Sequence, residues 1–341
     1  ILHRIPFLAC RSSLAADAFY TAFKADRSQI VRDTLQWWRG SPNLPALTTG
    51  TTMRYPSLAD LLAARSTDLA KGPVAIVLAE DAIEVDSTLA HLLTVGFRDV
   101  ILLAPEGIDV LPEHEARAQI VVHDVHAETA LTGAVNMVID RLPGTWIHWC
   151  FNAEYLFYPF SDTRQIRELV TFHTEERRSA MMTYVIDLYA GDLAQAPNGV
   201  SLSDAWFDRS GYYSLSRKDP DRNWEAKDRQ NDIFGGLRRR FEEHVAWERR
   251  RIDRIALFRA KPGLRLLPDY TLNDAEMNTY ACAWHHNLTA AVCSFRAAKA
   301  LCTNPGSRHA VQSFRWRYSE QFSWSDHQLM ALGFIEPGQW F

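Results

Sequence analysis

Short apolar runs rich in β-branched residues alternate with segments of helical periodicity between residues 73 and 190, and this alternation most constrains the fold. The apolar runs predict buried strands at 73–81, 99–105, 118–125, 146–151 and 181–189. Apolar residues at helical spacing predict helices around 85–96, 131–142 and 166–170. Strands that alternate with helices form βαβ units. We therefore expect an α/β fold with a Rossmann-like, mostly parallel sheet flanked by helices.

The regular alternation ends near residue 192. Residues 192–232 are polar and aromatic, and we expect them to form a long excursion over the active face. The remaining pattern predicts strands at 234–241, 251–260 and 264–270, and helices at 289–301 and 326–333. The second half of the chain is thus expected to end in a C-terminal mixed α/β extension.

Composition narrows the class of protein. Hydrophobic residues make up 47% of the 341 residues and charged residues 23%, which is typical of globular proteins. The net charge of −4 gives no basic footprint, so a nucleic-acid partner is not expected. No apolar run approaches the roughly 20 residues that a bilayer span needs, so no transmembrane segment is expected. The five cysteines show no CxxC spacing, which favours reduced thiols in a cytoplasmic protein.

Several common nucleotide and hydrolase motifs do not occur in the sequence. No GxGxxG, GxxxxGK[ST] or GxSxG pattern follows a predicted strand. A parallel sheet without a phosphate-binding glycine loop needs another way to neutralise a diphosphate. The usual alternative is a divalent cation that carboxylates hold at the end of a strand.

The polar residues directly after the strand at 146–151 are the first candidates for such a site. Asn152 and Glu154 point to the same side if the segment is extended, and both offer oxygen ligands. The alternative interpretation is that Asn152 caps a turn and Glu154 is solvated. His285, next to His286, could supply a metal ligand or a donor to a diphosphate, and the alternative is a surface histidine pair.

Two further residues are candidates for a general base and for a phosphate-binding group. Asp187 ends a very apolar strand, where a carboxylate is costly unless it has a partner or acts as a general base. The alternative is that Asp187 caps a helix or pairs with an arginine. Arg238 follows Gly235 and Gly236 and could bind a phosphate, whereas ordinary solvated charge is the alternative. The run at 249–254 is interpreted as a charged surface, and His173 as a core histidine.

Four segments together carry a resemblance to a known family. They are EDAIEVDSTLAHLLTVGF (80–97), FNAEYLFYP (151–159), TYVIDLY (183–189), and FGGLRRRF (234–241) followed by WHHNL (284–288). In order and spacing they resemble the bacterial glycosyltransferase family 2-like group, which has the GT-A fold. Glu80 and Asp81 take the places of an Asn-Glu pair of that group, and His91 matches a histidine. Phe151 and Ala153 fall where the acids of an Asp-x-Asp motif would lie, and a one-residue gap would instead place Asn152 and Glu154 there. In either alignment a carboxylate is lost, so the motif is degenerate.

The resemblance implies a hexosyltransferase-like enzyme that transfers a sugar from a nucleotide-sugar donor, a UDP-sugar, to a glycan or lipid-linked acceptor. It implies a divalent cation, Mn²⁺ or Mg²⁺, and cell-surface polysaccharide or glycan synthesis. The implied donor-binding residues are Glu80, Asp81, Asp124, Asn152 and Arg238. The implied metal ligands are Glu154, Asn152 and His285. Asp187 is the first candidate for the general base and Glu243 the second.

The resemblance also implies a division of the chain. Residues 1–58 would form a partly helical N-terminal extension, and residues 59–341 a glycosyltransferase-like domain with a nucleotide-binding half at 73–160 and an acceptor half at 161–341. The protein would work in the cytoplasm, peripheral to the inner membrane. One alternative is a catalytically impaired sugar- or nucleotide-binding relative that has lost the metal site. A nucleotidyltransferase is disfavoured because no glycine-rich loop with Lys or Arg follows the first strand.

Overall fold

A computed structural model describes residues 54–280 and 288–340, which belong to one compact unit spanning 52–341. The strands are β1 (Arg54–Tyr55), β2 (Val74–Leu78), β3 (Asp99–Ala104), β4 (Ala118–Val122), β5 (Trp146–Phe151), β6 (Glu154–Phe157), β7 (Ala180–Ala190), β8 (Ala205–Asp208), β9 (Tyr213–Asp219), β10 (Glu225–Phe234), β11 (Asp253–Arg259), β12 (Ala290–Ser294) and β13 (Ser319–Gln321). The α-helices are α1 (Leu58–Leu69), α2 (Val85–Thr94), α3 (Pro112–Glu115), α4 (Ala130–Arg141), α5 (Ile166–Glu175), α6 (Gly236–Arg240), α7 (Arg296–Thr303) and α8 (Asp326–Ala331). Among the helices of these two ranges, none is long and apolar enough to cross a membrane.

A central sheet organises the chain in the order β1-β4-β3-β2-β5-β11-β7-β12-β6. The pairs that join β1 to β5 are all parallel, and β12 is parallel to β7. β11 runs antiparallel between β5 and β7, and β6 closes the edge antiparallel to β12. β8 pairs with β7 on one side and with β13 on the other. β9 and β10 form a separate hairpin. The predicted α/β fold with a largely parallel central sheet flanked by helices is confirmed.

The strands at the centre of the sheet are apolar throughout because both of their faces are covered. All residues of β2, β3 and β5 are buried. Ile76 and Ile101 pack on one face with the apolar sides of α1 and α4. Val77 and Leu102 pack on the other face with those of α2 and α5. The alternation of side chains along each strand thus divides the core into two layers.

In the second half, two predicted strands are wrong and one predicted helix is right only for its second part. Residues 234–241 were expected as a strand, but Phe234 ends β10 and α6 begins at Gly236. Residues 264–270 contribute only an isolated bridge between Leu266 and Leu272. The expected helix at 289–301 divides into β12 and α7, because the alanine-rich start of that segment pairs with β6 and β7 in the sheet interior.

Other predicted elements are confirmed within a few residues. The strands around 73–81, 99–105, 118–125, 146–151 and 181–189 correspond to β2, β3, β4, β5 and β7, the segment at 251–260 contains β11, and the last predicted helix is α8. The excursion at 192–232 holds β8, β9 and most of β10, which its mixed polar and aromatic composition did not indicate. The division of the domain at 58/59 and 160/161 stays a prediction.

Candidate functional site

The carboxyl ends of the parallel strands lie side by side at one end of the sheet, and the amino end of β11 lies there too. We call this end of the sheet the carboxyl edge. The residues that follow β2 there are Glu80 and Asp81, and those that follow β5 are Asn152 and Glu154. Glu154 of β6 lies opposite Ser294 of β12, which in turn lies opposite Asp187 of β7. In doubly wound sheets ligands bind beyond this edge. The fold therefore brings five residues of interest from separate parts of the chain to one place.

Glu154 forms a buried ion pair with Arg254, the second residue of β11. The Arg254 Nη2 to Glu154 Oε2 distance is 2.6 Å, and the two side chains are 4% and 0% exposed. The backbone N–H of Phe151 donates to Oε2 and the Ser294 hydroxyl donates to Oε1. Burial alone would raise the pKa of Glu154, but the charge and hydrogen bonds of Arg254 and the Phe151 N–H hold that pKa at about 2. Glu154 is thus a buried carboxylate whose charge is balanced by Arg254.

Asn152 organises the turn that follows β2. Its Oδ1 accepts a hydrogen bond from the backbone N–H of Glu80 at 3.0 Å. Its Nδ2 donates to Asp81 Oδ1 at 2.6 Å and to the backbone oxygen of Ile83 at 2.8 Å. The side chain is fully buried and its amide is engaged on both sides. These contacts agree with the alternative interpretation, in which Asn152 caps a turn.

Two basic residues of α7 reach across the edge to the acids that follow β2. The guanidinium of Arg296 bonds both oxygens of Glu80, each at 2.6 Å, and lies 3.7 Å from the ring centroid of Phe151. The ammonium of Lys299 bonds both oxygens of Asp81, at 2.9 and 3.1 Å. The side chains of Glu80 and Arg296 are 29% and 24% exposed, so this pair remains open to solvent. The three acids and three bases of this edge balance in formal charge. We call Arg254, Arg296 and Lys299 the basic trio.

The sequence did not reveal the basic trio. Arg254 lies in the run at 249–254, which was interpreted as a charged surface, and that interpretation is wrong for Arg254 because it is buried against Glu154. A usable signal did exist for Arg296 and Lys299. They are spaced by three residues directly after the apolar run at 290–294, and that spacing places both on one side of a helix that starts at a strand end.

Asp187 pairs with an arginine, as one of its alternative interpretations held. Its Oδ1 accepts from the Nε of Arg238 at 3.2 Å, and its Oδ2 accepts from the Arg238 backbone N–H at 3.3 Å. Burial raises the pKa of Asp187 above its ordinary value, although Arg238 opposes that rise. Gly236 lies so close that a Cβ there would be 2.9 Å from Asp187 Oδ2. The donor-binding candidate Arg238 and the base candidate Asp187 are therefore one hydrogen-bonded unit.

A second carboxylate with a raised pKa lies near Asp187. Burial raises the pKa of Asp208, although Arg240 and two hydrogen-bond donors, Tyr189 and Trp316, oppose the rise. The Tyr189 hydroxyl and the Trp316 Nε1 donate to Asp208 Oδ1 at 2.6 and 2.7 Å, and Arg240 bonds Oδ2 at 2.7 Å. This network fixes the ends of β7 and β8, and no local sequence pattern indicates it.

The remaining candidates lie in less enclosed positions. Asp124 caps a turn after β4 by accepting from the His126 N–H at 3.1 Å, and two strands separate β4 from β5. Glu243 lies in a 3₁₀ turn beyond α6, with a 62% exposed side chain. His285 lies outside the described residues. His91 packs against Tyr155 and Phe157, and burial lowers its pKa to about 4.

Asn152 and Glu154, as the structure places them, do not fit a divalent cation. Each oxygen of their side chains already accepts a hydrogen bond, and Arg254 takes the position of a cation beside Glu154. A metal would have to displace a bidentate buried guanidinium to reach the carboxylate. The part of His285 in any metal site stays a prediction. This end of the sheet offers hydrogen-bond donors that can bind an anion. Among them, Arg296 is partly exposed to solvent.

The chain matches no known protein-family model, and no curated protein matches it significantly.

Proposed function

We propose that the chain is a glycosyltransferase with a GT-A fold that transfers a sugar from a nucleotide-sugar donor. One observation carries the proposal. Arg296 and Lys299 lie at the carboxyl edge beside the ends of β2 and β5, and the Arg296 side chain is partly exposed, at 24%. This is the location at which doubly wound sheets bind nucleotides.

Arg296 and Lys299 support binding of a diphosphate without a glycine-rich loop, whereas Arg254 stays paired with Glu154. Arginine presents a planar fork that matches phosphate oxygens, and lysine adds a point charge. The donor's diphosphate would compete with Glu80 for Arg296 and with Asp81 for Lys299. The displaced carboxylates of Glu80 and Asp81 would then be hydrated instead, since they are 29% and 40% exposed. We propose that this arrangement does the work that the degenerate Asp-x-Asp motif leaves undone.

Transfer requires a base as well as a donor site. The acceptor hydroxyl oxygen attacks the anomeric carbon, the bond from that carbon to the diphosphate oxygen breaks, and a carboxylate takes the hydroxyl proton. The raised pKa of Asp187 suits that role, because a stronger base accepts the proton more readily. Gly236 and Arg238 cover Asp187, so an acceptor reaches it only when α6 moves. Glu243, which is 62% exposed, needs no such movement and is the second candidate.

The setting that the resemblance implies is part of the same proposal. The donor would be a UDP-sugar, and the acceptor a glycan or lipid-linked glycan of a cell-surface polysaccharide. The enzyme would act in the cytoplasm, at the periphery of the inner membrane. A requirement for Mn²⁺ or Mg²⁺ stays a prediction, and the basic trio makes a metal-independent donor site the simpler arrangement.

One observation favours a second candidate function. Glu154 and Asp187 are both bonded to arginines and fully buried, so neither carboxylate is presented to a ligand. A relative that binds a nucleotide or sugar without transferring it would need only Arg296 and Lys299. Binding and transfer therefore have to be measured separately.

Thermal unfolding with UDP, GDP and ADP, each with and without Mn²⁺, tests donor binding. One nucleotide at 100 times its dissociation constant should stabilise the fold by about 2.7 kcal/mol. Arg296→Gln and Lys299→Gln should remove most of that shift. Arg265→Gln is the matched control, because Arg265 forms an exposed ion pair with Asp140 elsewhere. If no nucleotide raises the melting temperature, the proposal is wrong.

Hydrolysis of the donor separates the enzyme from the binding protein. Nucleotide diphosphate released from a panel of nucleotide sugars, with and without candidate acceptors, is the direct readout. A binding protein would show a nucleotide-dependent thermal shift but no release with any donor. An enzyme would show release that falls in Arg296→Gln and not in Arg265→Gln.

A further inference from the structure

The loop after β6 meets the start of α8 on a part of the surface that the proposed donor site does not include. The Ser325 hydroxyl donates to Asp162 Oδ2 at 2.9 Å, and the same Ser325 oxygen accepts from the His327 backbone N–H at 3.2 Å. Asp162 lies between β6 and α5, so this contact joins residues 163 positions apart. The last helix is thereby held against the loop.

Three ligand-type side chains converge at this junction. The ligand atoms of Asp162, Asp326 and His327 all lie within 4.8 Å of one another. Asp162 and His327 are exposed, whereas Asp326 is 0% exposed. The group is therefore open to solvent on one side and closed by a buried carboxylate on the other.

The carboxylate of Asp326 is anomalous. Among the described residues, neither of its oxygens makes a hydrogen bond of normal geometry, although the Asp162 carboxyl and the His327 backbone N–H lie close to it. A buried carboxylate without donors is costly, and the neighbouring carboxylate of Asp162 adds repulsion. Buried polar groups without partners are rare in native proteins and indicate a missing ligand, ion or proton. Either a proton shared between the two acids or a cation between them would remove the cost.

We propose that Asp162, Asp326 and His327 bind one divalent transition metal, Zn²⁺ or Mn²⁺. Two carboxylate oxygens and one imidazole nitrogen form a mixed donor set. Imidazole favours Zn²⁺ over Mg²⁺ and Ca²⁺, and the carboxylates also suit Mn²⁺. Three protein ligands leave at least one coordination position for water. The proposal does not rest on the glycosyltransferase assignment, since none of these residues belongs to the basic trio.

The metal ties the C-terminal segment to the sheet. The ring of Trp324, two residues before Asp326, lies edge-on to Tyr155 of β6 at 4.9 Å between centroids. The Trp324 Nε1 donates to the backbone oxygen of Leu202 at 2.9 Å. A cation that joins Asp162 to Asp326 therefore fixes the segment that covers the residue next to Glu154. Its expected effect is on stability.

Titration of the chelator-treated, untagged protein with Zn²⁺, Mn²⁺, Mg²⁺ and Ca²⁺ tests the proposal. Calorimetry should show one Zn²⁺ or Mn²⁺ site, and the melting temperature should rise with that ion and not with Mg²⁺ or Ca²⁺. Asp326→Asn should abolish the rise, and His327→Gln should weaken the affinity by at least about tenfold. Asp109→Asn is the matched control, because it removes an exposed carboxylate far from the cluster in sequence.

The alternative with a shared proton gives opposite results. No ion would then raise the melting temperature of the unsubstituted chain, whereas Asp326→Asn would stabilise the metal-free protein on either account because it removes the carboxylate repulsion. Metal binding that persists unchanged in His327→Gln and Asp326→Asn would also overturn the proposal. His327 is exposed, so His327→Gln remains informative if Asp326→Asn fails to fold. Nucleotide titrations repeated in His327→Gln keep an effect of Mn²⁺ at this cluster apart from one at the donor site.

Discussion

The Glu154–Arg254 pair is the most enclosed charge interaction at the carboxyl edge. Removing both ions from water is expensive, and only close geometry with further hydrogen bonds offsets that cost. Here Ser294 and the Phe151 N–H complete the carboxylate, and the Trp149 ring lies 4.6 Å from the guanidinium carbon. The pair therefore tolerates the loss of neither partner.

Glu154→Gln should destabilise the protein by about 3–5 kcal/mol, because it leaves the guanidinium of Arg254 buried without a counter-ion. The free energy of unfolding in urea measures this loss. Asp140→Asn is the matched control and should cost less than about 1 kcal/mol, since its pair with Arg265 is exposed. Equal losses in the two variants would show that Arg254 is solvated in the native state.

Gly236→Ala should destabilise the protein by about 1–3 kcal/mol. Gly236 has φ of +62°, and an added Cβ would meet Asp187 Oδ2 at 2.9 Å. Gly107→Ala separates the two causes, because Gly107 also has a positive φ, +90°, but has nothing within 4 Å of its Cβ position. Urea unfolding should show a larger loss at Gly236, and equal losses would mean that backbone strain alone matters.

The acids of the site could be predicted from the sequence, but their partners could not. Glu154 stands out, with the amide Asn152, because it follows an apolar strand, and Asp187 stands out because it is a carboxylate within one. Their positions at one edge follow from the parallel arrangement. Arg254 is 100 positions from Glu154, and Arg296 is 216 positions from Glu80. These pairs depend on where β11 and β12 enter the sheet, which no local pattern encodes.

At the scale of elements, β5 carries a buried histidine whose titration bears on stability. The Nδ1 of His148 bonds the backbone oxygen of Ala256 at 2.8 Å, and Phe97 stacks on the ring. Burial, with a contribution from the charge of Arg254, lowers the pKa of His148 to about 3. The folded protein therefore keeps this imidazole neutral at pH values where the unfolded chain, with a pKa near 6.5, protonates it.

His148→Gln should flatten the dependence of stability on pH. Because the folded pKa lies below the unfolded one, the contribution of His148 is complete above about pH 6.5 and is lost as pH falls toward 3. The slope should change by up to one proton, about 1.4 kcal/mol per pH unit. Urea unfolding of both proteins between pH 4.5 and 8 measures it. The two curves should run parallel above pH 7, and parallel curves over the whole range would contradict the assignment.

Strands and helices are predictable most accurately where the local hydrophobic pattern is strongest. β2, β3 and β5 are uniformly apolar and were located within a few residues. The segment 289–301 has alanines that suit a helix, yet its first part is β12 because β6 and β7 pair with it. Residues 234–241 are split by Gly236, whose left-handed backbone begins a short helix. Tertiary pairing and one backbone conformation decided these cases.

At the scale of the whole molecule, the antiparallel β11 joins the regular βαβ part of the sheet to the rest. It pairs with β5 on one side and β7 on the other, so it carries Arg254 to the carboxyl edge from the opposite direction. The class of fold was predictable because the alternation of strands and helices is long and regular. The insertion of β11 was not, because nothing in a strand's own sequence specifies its neighbours.

The β9–β10 hairpin is the part of the fold least supported by the core. Its tip exposes Trp224, at 65%, and both Asn223 and Trp224 have left-handed backbone conformations. Its base is anchored, because Arg217 bonds both Asp232 and Asp253. A two-stranded ribbon without a buried face readily loses its backbone hydrogen bonds. An anchored base loses them only when the domain unfolds.

Hydrogen exchange followed by mass spectrometry should therefore show a gradient along this hairpin. Peptides of the tip, 218–228, should exchange first, those of the base more slowly, and those of β2 and β5 last. Trp224→Ala should leave the unfolding free energy within about 0.5 kcal/mol, because its ring is mostly in water. Arg217→Met should abolish the gradient by freeing the base. A tip as strongly protected as β5 would mean that a surface not visible in the single chain covers Trp224.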